Sequence, residues 1–473
     1  MPLLLIIFVI FLIRTKLLRR RVFVFSFSSL ELSHFLLATA VLLALAHLLG
    51  YLCERVMIPR VIGEVAAGLV LGPTLLGYFY PHAFTWLFNG FPQEGRMFGL
   101  MYQIGLTLLM FCSGLKFHTK LKKGDGKITA TIILASTILP FALGWLATSL
   151  INFNQFLGSA HSVFAIKIIV AISIAVTSIP VISKIFNDLG IMHSRFAKLI
   201  IAIAGVHDIL LWVALGIATS VAAGHQGPVT AGTVFSSIGI TLGFIIVGLF
   251  VLHLLFKKLT IRNGNFLFRA SNVGYLLLIM FILASVAGYL NIDTMYGALV
   301  AGIGIKIALP PTLFKRLEQS VIHISFSWFI PIYFAVVGLQ LDLAKHFELL
   351  FFIGYLIFAT LAQSIIVFLA CKLIRQDRLT SFNFAMAMNA RGGPGIVLST
   401  VAYSAGIINQ DFFGILVMLA LVTSWLAGSW LRFVLNKGWR LMPGDEGVVP
   451  EKINNDNDIV YLQHLIQAEK SSD

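Results

Sequence analysis

From residue 31 to residue 433 the chain is a succession of apolar stretches, each about twenty residues long and separated from the next by a short polar break. That is the length an α-helix needs to cross the hydrocarbon of a bilayer. Composition agrees: hydrophobic residues make up 58% of the 473 and charged residues 11%, and mean hydropathy is +0.93. Soluble domains carry about a quarter charged residues, so a soluble globule is excluded. The chain is expected to be an all-α polytopic membrane protein.

Hydropathy together with the Gly, Pro and charge breaks divides it into about thirteen spans. They are 31–52, 61–77, 97–115, 128–151, 164–183, 197–222, 232–256, 271–290, 293–309, 320–341, 347–371, 380–405 and 411–433. Alternate loops separate by charge. One side receives Arg55, Arg60, the lysines between Lys116 and Lys127, Lys184, Arg195, Lys257, Arg269, Lys315, Arg375 and Lys437, while the other holds little beyond Arg96 and Lys345. The net charge of +14 therefore reflects a positive-inside distribution and not a nucleic-acid surface. The basic side belongs in the cytoplasm, which places the C-terminus inside a plasma (inner) membrane.

Residues 1–30 form an extension without an assigned role: Leu3–Ile13 is short for a span, and its basic cluster follows the apolar run instead of preceding it. Residues 31–433 are the transmembrane domain, and residues 434–473 are expected to be a short, disordered cytoplasmic tail. No Gly-rich nucleotide fingerprint occurs in that tail. Cys53, Cys112 and Cys371 have unrelated spacings and read as packing residues, and no His, Cys or carboxylate spacing suggests a metal site.

Two spans carry groups that hydrocarbon does not tolerate. Residues 175–184 read Ala-Val-Thr-Ser-Ile-Pro-Val-Ile-Ser-Lys, and residues 203–212 read Ile-Ala-Gly-Val-His-Asp-Ile-Leu-Leu-Trp. A carboxylate at mid-membrane costs about 3 kcal/mol or more, so Asp208 is a functional candidate by its position. A proline removes a helical hydrogen bond, which a membrane accepts only where protein or a watery cavity satisfies the backbone. Three pairs of segments then recur in the same order, seven spans apart. Glu64–Pro73 resembles Tyr296–Ile305, Phe111–Phe117 resembles Phe334–Leu341, and Thr177–Ile182 resembles Arg391–Ile396. An odd offset sends matched spans across the membrane in opposite directions, the mark of an inverted-topology repeat.

Two crossed, discontinuous helices are expected from the third pair. Thr177, Ser178, Pro180 and Ser183 lie on one, and Asn389, Arg391, Gly392, Gly393 and Pro394 on the other. Replacing either proline should let its helix close and withdraw carbonyls from the site. Asp208 supplies the negative charge.

These motifs resemble the monovalent cation:proton antiporter-2 family of sodium/proton and potassium/proton exchangers. The matching segments are Pro59–Pro73, Thr177–Ile185, the polar pair His207-Asp208, Val337–Asp342 and Met388–Gly393, and the likeness covers residues 30–435. The resemblance implies thirteen helices, a dimerisation domain (spans 1–3 and 8–10) and a mobile core domain (spans 4–6 and 11–13). It further implies a homodimer in lipid, elevator-like alternating access, no organic cofactor, and one essential acid mapping onto Asp208. The C-terminal nucleotide-binding domain of some members is expected to be missing. Two departures stand out: His207-Asp208 replaces the usual Asn-Asp or Asp-Asp, and Gln363 or Ser364 stands where many members carry a lysine or arginine.

The function expected is secondary antiport of sodium or potassium against protons, with Asp208 as shared carrier. The alternative is export of a small organic ion or weak acid on the same scaffold. Intramembrane hydrolysis lacks its catalytic pairs, and a channel is disfavoured by the paired breaks. His207 either hydrogen-bonds to a neighbouring helix or titrates in the cavity, since adjacent helical residues point about 100° apart. Arg391 holds an acid or backbone carbonyls. Glu64 is structural, cavity-lining or a point of proton entry, and Lys184 and Lys306 snorkel.

Overall fold

The structure, a computed structural model, describes residues 28–445 except 57, 117–125, 193, 224–231, 233–238, 241–242, 251, 253–265 and 291. Short polar residues open the spans. Ser28 caps α1 (Ser29–Arg55), its hydroxyl accepting from Glu31 N while the Glu31 carboxylate returns to Ser28 N. Asp293 opens α11 (Thr294–Ala308), Asp377 opens α15 (Arg378–Ala387), and Asn409 opens α17 (Gln410–Asn436), each side chain accepting one backbone N–H of the first turn.

Besides a 3₁₀ turn at Asn154–Phe156 and a short helix at Phe266–Ala270, the remaining elements are α2 (Arg60–Leu71), α3 (Leu76–Phe79), α4 (Pro81–Phe88), α5 (Glu94–Leu115), α6 (Gly126–Leu150), α7 (Val163–Ala175), α8 (Ile179–Asp188) and α9 (Arg195–Ala223). They continue with α10 (Asn272–Tyr289), α12 (Pro311–Ile324), a π-helical turn Ser325–Phe329, α13 (Ile330–Gln340), α14 (Leu349–Leu373) and α16 (Gly392–Ser404). Among the described residues there is no strand, and nine helices are long and apolar enough to cross a membrane. Val163–Ala175 and Thr294–Ala308 are shorter apolar helices. The expected span 232–256 lies largely outside the described residues.

Helix α14 shows why these segments suit lipid. Ile353, Ile357, Leu361, Ile365 and Leu369 form an exposed apolar stripe, while Tyr355, Ala359, Gln363 and Val367 on the opposite side are buried. A helix apolar on its outer as well as its inner face has its place in hydrocarbon.

Extensive helix contacts fall into two bundles. α1, α2, α5, α10, α11 and α13 pack together, and so do α6–α9 with α14–α17. The first bundle is closed by glycines. A Cβ on Gly63 would lie 2.3 Å from the carbonyl oxygen of Leu49, and one on Gly297 would lie 2.2 Å from that of Leu283, with both partners displaced by 234 residues. Gly68 meets Gly338 just as Gly302 meets Gly114, each backbone-to-backbone with room only for hydrogen. The small-residue segments paired by sequence therefore make the same contact twice.

The last span ends at Asn436, and residues 437–445, expected in the disordered tail, instead pack under the second bundle. Leu441 and Met442 are buried there, which hydropathy over a polar stretch does not reveal.

Candidate functional site

The fifth span breaks after Ala175. Val176 is extended, and Ser178 opens α8 by accepting from Val181 N. The twelfth span breaks between Ala387 and Gly392. Pro180 and Pro394 lie in the first turns of the following half-helices, where the missing N–H would be unpaired anyway, so each stands beside its break and not within it.

The two breaks cross in direct contact. Thr177 Oγ1 donates to Met388 O at 2.6 Å, and Ser178 N donates to Ala390 O at 2.7 Å. Both hydroxyl-bearing residues are fully buried. Arg391, 1% exposed, completes the crossing. Its Nε donates to Ser173 O at 2.9 Å and its Nη2 to Ile174 O at 3.2 Å, so it caps the carbonyl end of α7. Nη2 also reaches Ala359 O on α14 at 2.9 Å, and Nη1 reaches Asn389 Oδ1 at 3.1 Å. Of the two roles open to Arg391, the hydrogen bonds are those of a carbonyl holder.

Asn389 is held in turn, its Nδ2 donating to Ser364 Oγ at 2.8 Å and to Ala385 O at 2.9 Å. Gly392 has φ +35° and donates from its N–H to Ser424 Oγ. A Cβ there would lie 2.1 Å from Val181 Cγ2 on the other broken span, so glycine is required twice over, by conformation and by space.

Asp208 and His207 are buried on α9, which packs against α7, α8 and α16, three of the four half-helices around the breaks. His207 Nε2 lies 2.9 Å from Ser136 Oγ on α6. Gln363 is fully buried beside Ser364.

A cavity of about 410 Å³ opens between the bundles. Glu64, Arg60 and Phe334 line it from the first, and Ser183, Trp212 and Pro394 from the second. Trp212 is one helical turn beyond Asp208 on α9. Glu64 Oε1 accepts from Arg60 Nε at 3.0 Å, Arg60 Nη2 contacts His47 Nδ1, and His47 Nε2 lies 3.0 Å from Ser327 O. A carbonyl only accepts, so His47 carries its proton on Nε2 and receives Arg60 at Nδ1. Glu64 is thus both cavity-lining and paired.

Sequence reasoning sets Thr177 and Ser178 opposite Asn389 and Arg391; the bonds across the crossing run instead to the carbonyls of Met388 and Ala390, while Asn389 and Arg391 bond to each other. It misses Ser136, Tyr355, Ser424 and Trp212. Tyr355 and Ser173 share a hydrogen bond of 2.5 Å behind Arg391. Each is a single polar or aromatic residue in an apolar span, with no local pattern to mark its partner.

Residues 40–437 match the family described as sodium/hydrogen exchanger, transmembrane. The K(+)/H(+) antiporter 1 of Saccharomyces cerevisiae is 29% identical over 87% of this chain and 48% of its own length. The Na(+)/H(+) antiporter NhaS4 of Synechocystis is 26% identical over 81% of this chain and 93% of its own. The chain spans about half the length of the first plant and yeast relatives it matches. Among solved structures, the sodium proton antiporter MjNhaP1 of Methanocaldococcus jannaschii shares the fold, with a TM-score of 0.59 at 16% identity over 85% of this chain and 98% of its own.

Proposed function

The chain belongs to the sodium/hydrogen exchanger transmembrane family, and we propose that it exchanges a monovalent cation, sodium or potassium, for protons across a membrane, with Asp208 as the shared carrier. The observation that carries this reading is the crossing of two broken helices, tied by Thr177 to Met388 and by Ser178 to Ala390, in a bundle that also buries a carboxylate. The names of the yeast and cyanobacterial relatives, a potassium/proton and a sodium/proton antiporter, support it.

The chemistry follows from charge. A buried carboxylate is stable when protonated or when paired with a cation, and a dehydrated cation needs both that charge and oxygen ligands. Thr177 and Ser178 place hydroxyl oxygens at the crossing, while Arg391 satisfies the carbonyls of Ser173 and Ile174. Protonated Asp208 and cation-bound Asp208 carry the same net charge, so one cation replaces one proton and the exchange is electroneutral.

In this reading the first bundle is the fixed, dimer-forming frame and the second is the mobile core. The core carries Asp208 between the two sides in an elevator-like movement. The repeated glycine contacts support an inverted repeat and, with it, thirteen crossings. The cavity rim at Glu54, Arg60 and Lys116 is the cytoplasmic entrance, and the C-terminus lies on that side. The deciding experiment is transport by the purified chain in proteoliposomes with sodium or potassium as the only added cation. Proton movement driven by either cation supports the reading, and none with both, from a folded protein, refutes it.

A further inference from the structure

The helix that carries Asp208 does not cap itself completely. The first N–H groups of a helix have no partner within it. In α9, Ala197 N is satisfied by Ser194 Oγ at 3.0 Å and Lys198 N by Ser194 O at 3.2 Å. Arg195 N and Phe196 N instead donate to the two carboxylate oxygens of Asp445, at 2.7 and 3.0 Å. Asp445 lies about 250 residues further along the chain and is only 6% exposed. Its negative charge sits where the helix dipole is positive.

The same short segment holds a second helix. Asn383 Nδ2 on α15 donates to Leu441 O at 3.0 Å, and Trp430 Nε1 on α17 donates to Asn383 Oδ1 at 3.0 Å. Arg440 pairs with Asp377 at 3.6 Å, at the residue that caps α15. Leu441 and Met442 belong to one buried cluster with Ile182, Phe196 and Phe384, from α8, α9 and α15. The segment is therefore a crosspiece beneath the bundle. One end grips the helix of Asp208, and the other grips the half-helix leading into the break at residues 388–391.

We propose that Asp445 is a positioning residue for cation exchange: it fixes the height of α9 against α15, and hence the placement of Asp208 relative to the crossing. The proposal rests on the exchange reading above. A carboxylate serves here because it meets two adjacent N–H groups at once, whereas an asparagine offers one acceptor oxygen and no charge.

The test uses the whole chain in proteoliposomes, with sodium and potassium each titrated as driving cation and rates expressed per folded protein. Asp445→Asn and Asp445→Ala should raise the apparent KM for the cation several-fold with a smaller change in maximal rate, and Asp445→Glu should return KM toward the parent. Ser194→Ala removes a cap from the same helical turn without touching the crosspiece, and should leave KM alone. If Asp445→Asn lowers the unfolding temperature but keeps the parental KM, or if Ser194→Ala shifts KM equally, the positioning role is overturned. Should Asp445→Ala fail to fold, the Asn and Glu variants decide between these outcomes. Asp208→Asn, run alongside, separates the two claims: normal exchange by that variant removes the carrier reading, whatever Asp445 does.

Discussion

His207 Nε2 and Ser136 Oγ lie 2.9 Å apart, and the only proton of the serine is engaged by the carbonyl oxygen of Ile132 at 2.5 Å. The imidazole therefore donates through Nε2 to α6. This bond ties His207 to the neighbouring helix α6.

Electroneutral exchange is the first expected outcome. Collapsing the membrane potential with valinomycin and potassium should leave the rate of sodium-driven proton movement unchanged. His207→Gln keeps an amide donor toward Ser136 and should behave alike. A dependence on potential that vanishes in His207→Gln would identify the imidazole as a second proton carrier.

Asp208→Asn should reduce exchange to the background of empty vesicles from about pH 6 to about pH 9, a range in which an ordinary carboxylate is ionised. A neutral amide neither releases a proton nor balances a dehydrated cation. Size-exclusion profiles and unfolding temperature should stay close to the parent, which separates loss of the carrier from loss of the fold.

Arg391→Ala should be chiefly a folding defect. It leaves the carbonyls of Ser173 and Ile174, at the end of α7, without their donor, at about 1–3 kcal/mol for each buried group left unpaired, and removes a second donor from Ala359 O, which lies within α14. Arg391→Lys restores a charge without the planar fork and should fall between alanine and the parent. Thermal unfolding of the detergent-purified variants measures the order, and equal stability of all three would remove the capping role.

Pro394→Ala should have little effect, within about 1 kcal/mol, because the first turn of a helix tolerates either residue. Gly392→Ala, two residues earlier, should be severe, since the new methyl group collides with Val181 and the residue adopts positive φ. Adding Val181→Ala should recover part of the loss. Folded yield and transport rate per folded molecule report both.

Much of this was legible in the sequence because hydrocarbon imposes a length. Most described spans begin and end within a few residues of their helices, as at 271–290 against Asn272–Tyr289. The paired small-residue segments marked where backbones touch, because only glycine permits the approach of Gly68 to Gly338. The prolines marked the broken spans but not the breaks themselves, which are held by contacts such as Thr177 to Met388 across 211 residues of chain. Ser136 with His207, and Asp445 with α9, were illegible for the same reason. A side chain's partner on a distant helix depends on how the helices are packed, and periodicity within one helix carries no record of that.

The cavity has a pharmacological consequence. At about 410 Å³ it is large enough for a small organic molecule, and its walls belong to the two bundles that the proposed elevator-like movement would carry past each other. A rigid occupant lodged between Phe334 and Trp212 would act as a wedge. It would stop transport without occupying the cation's place at Asp208, and raising the cation concentration would not relieve the block.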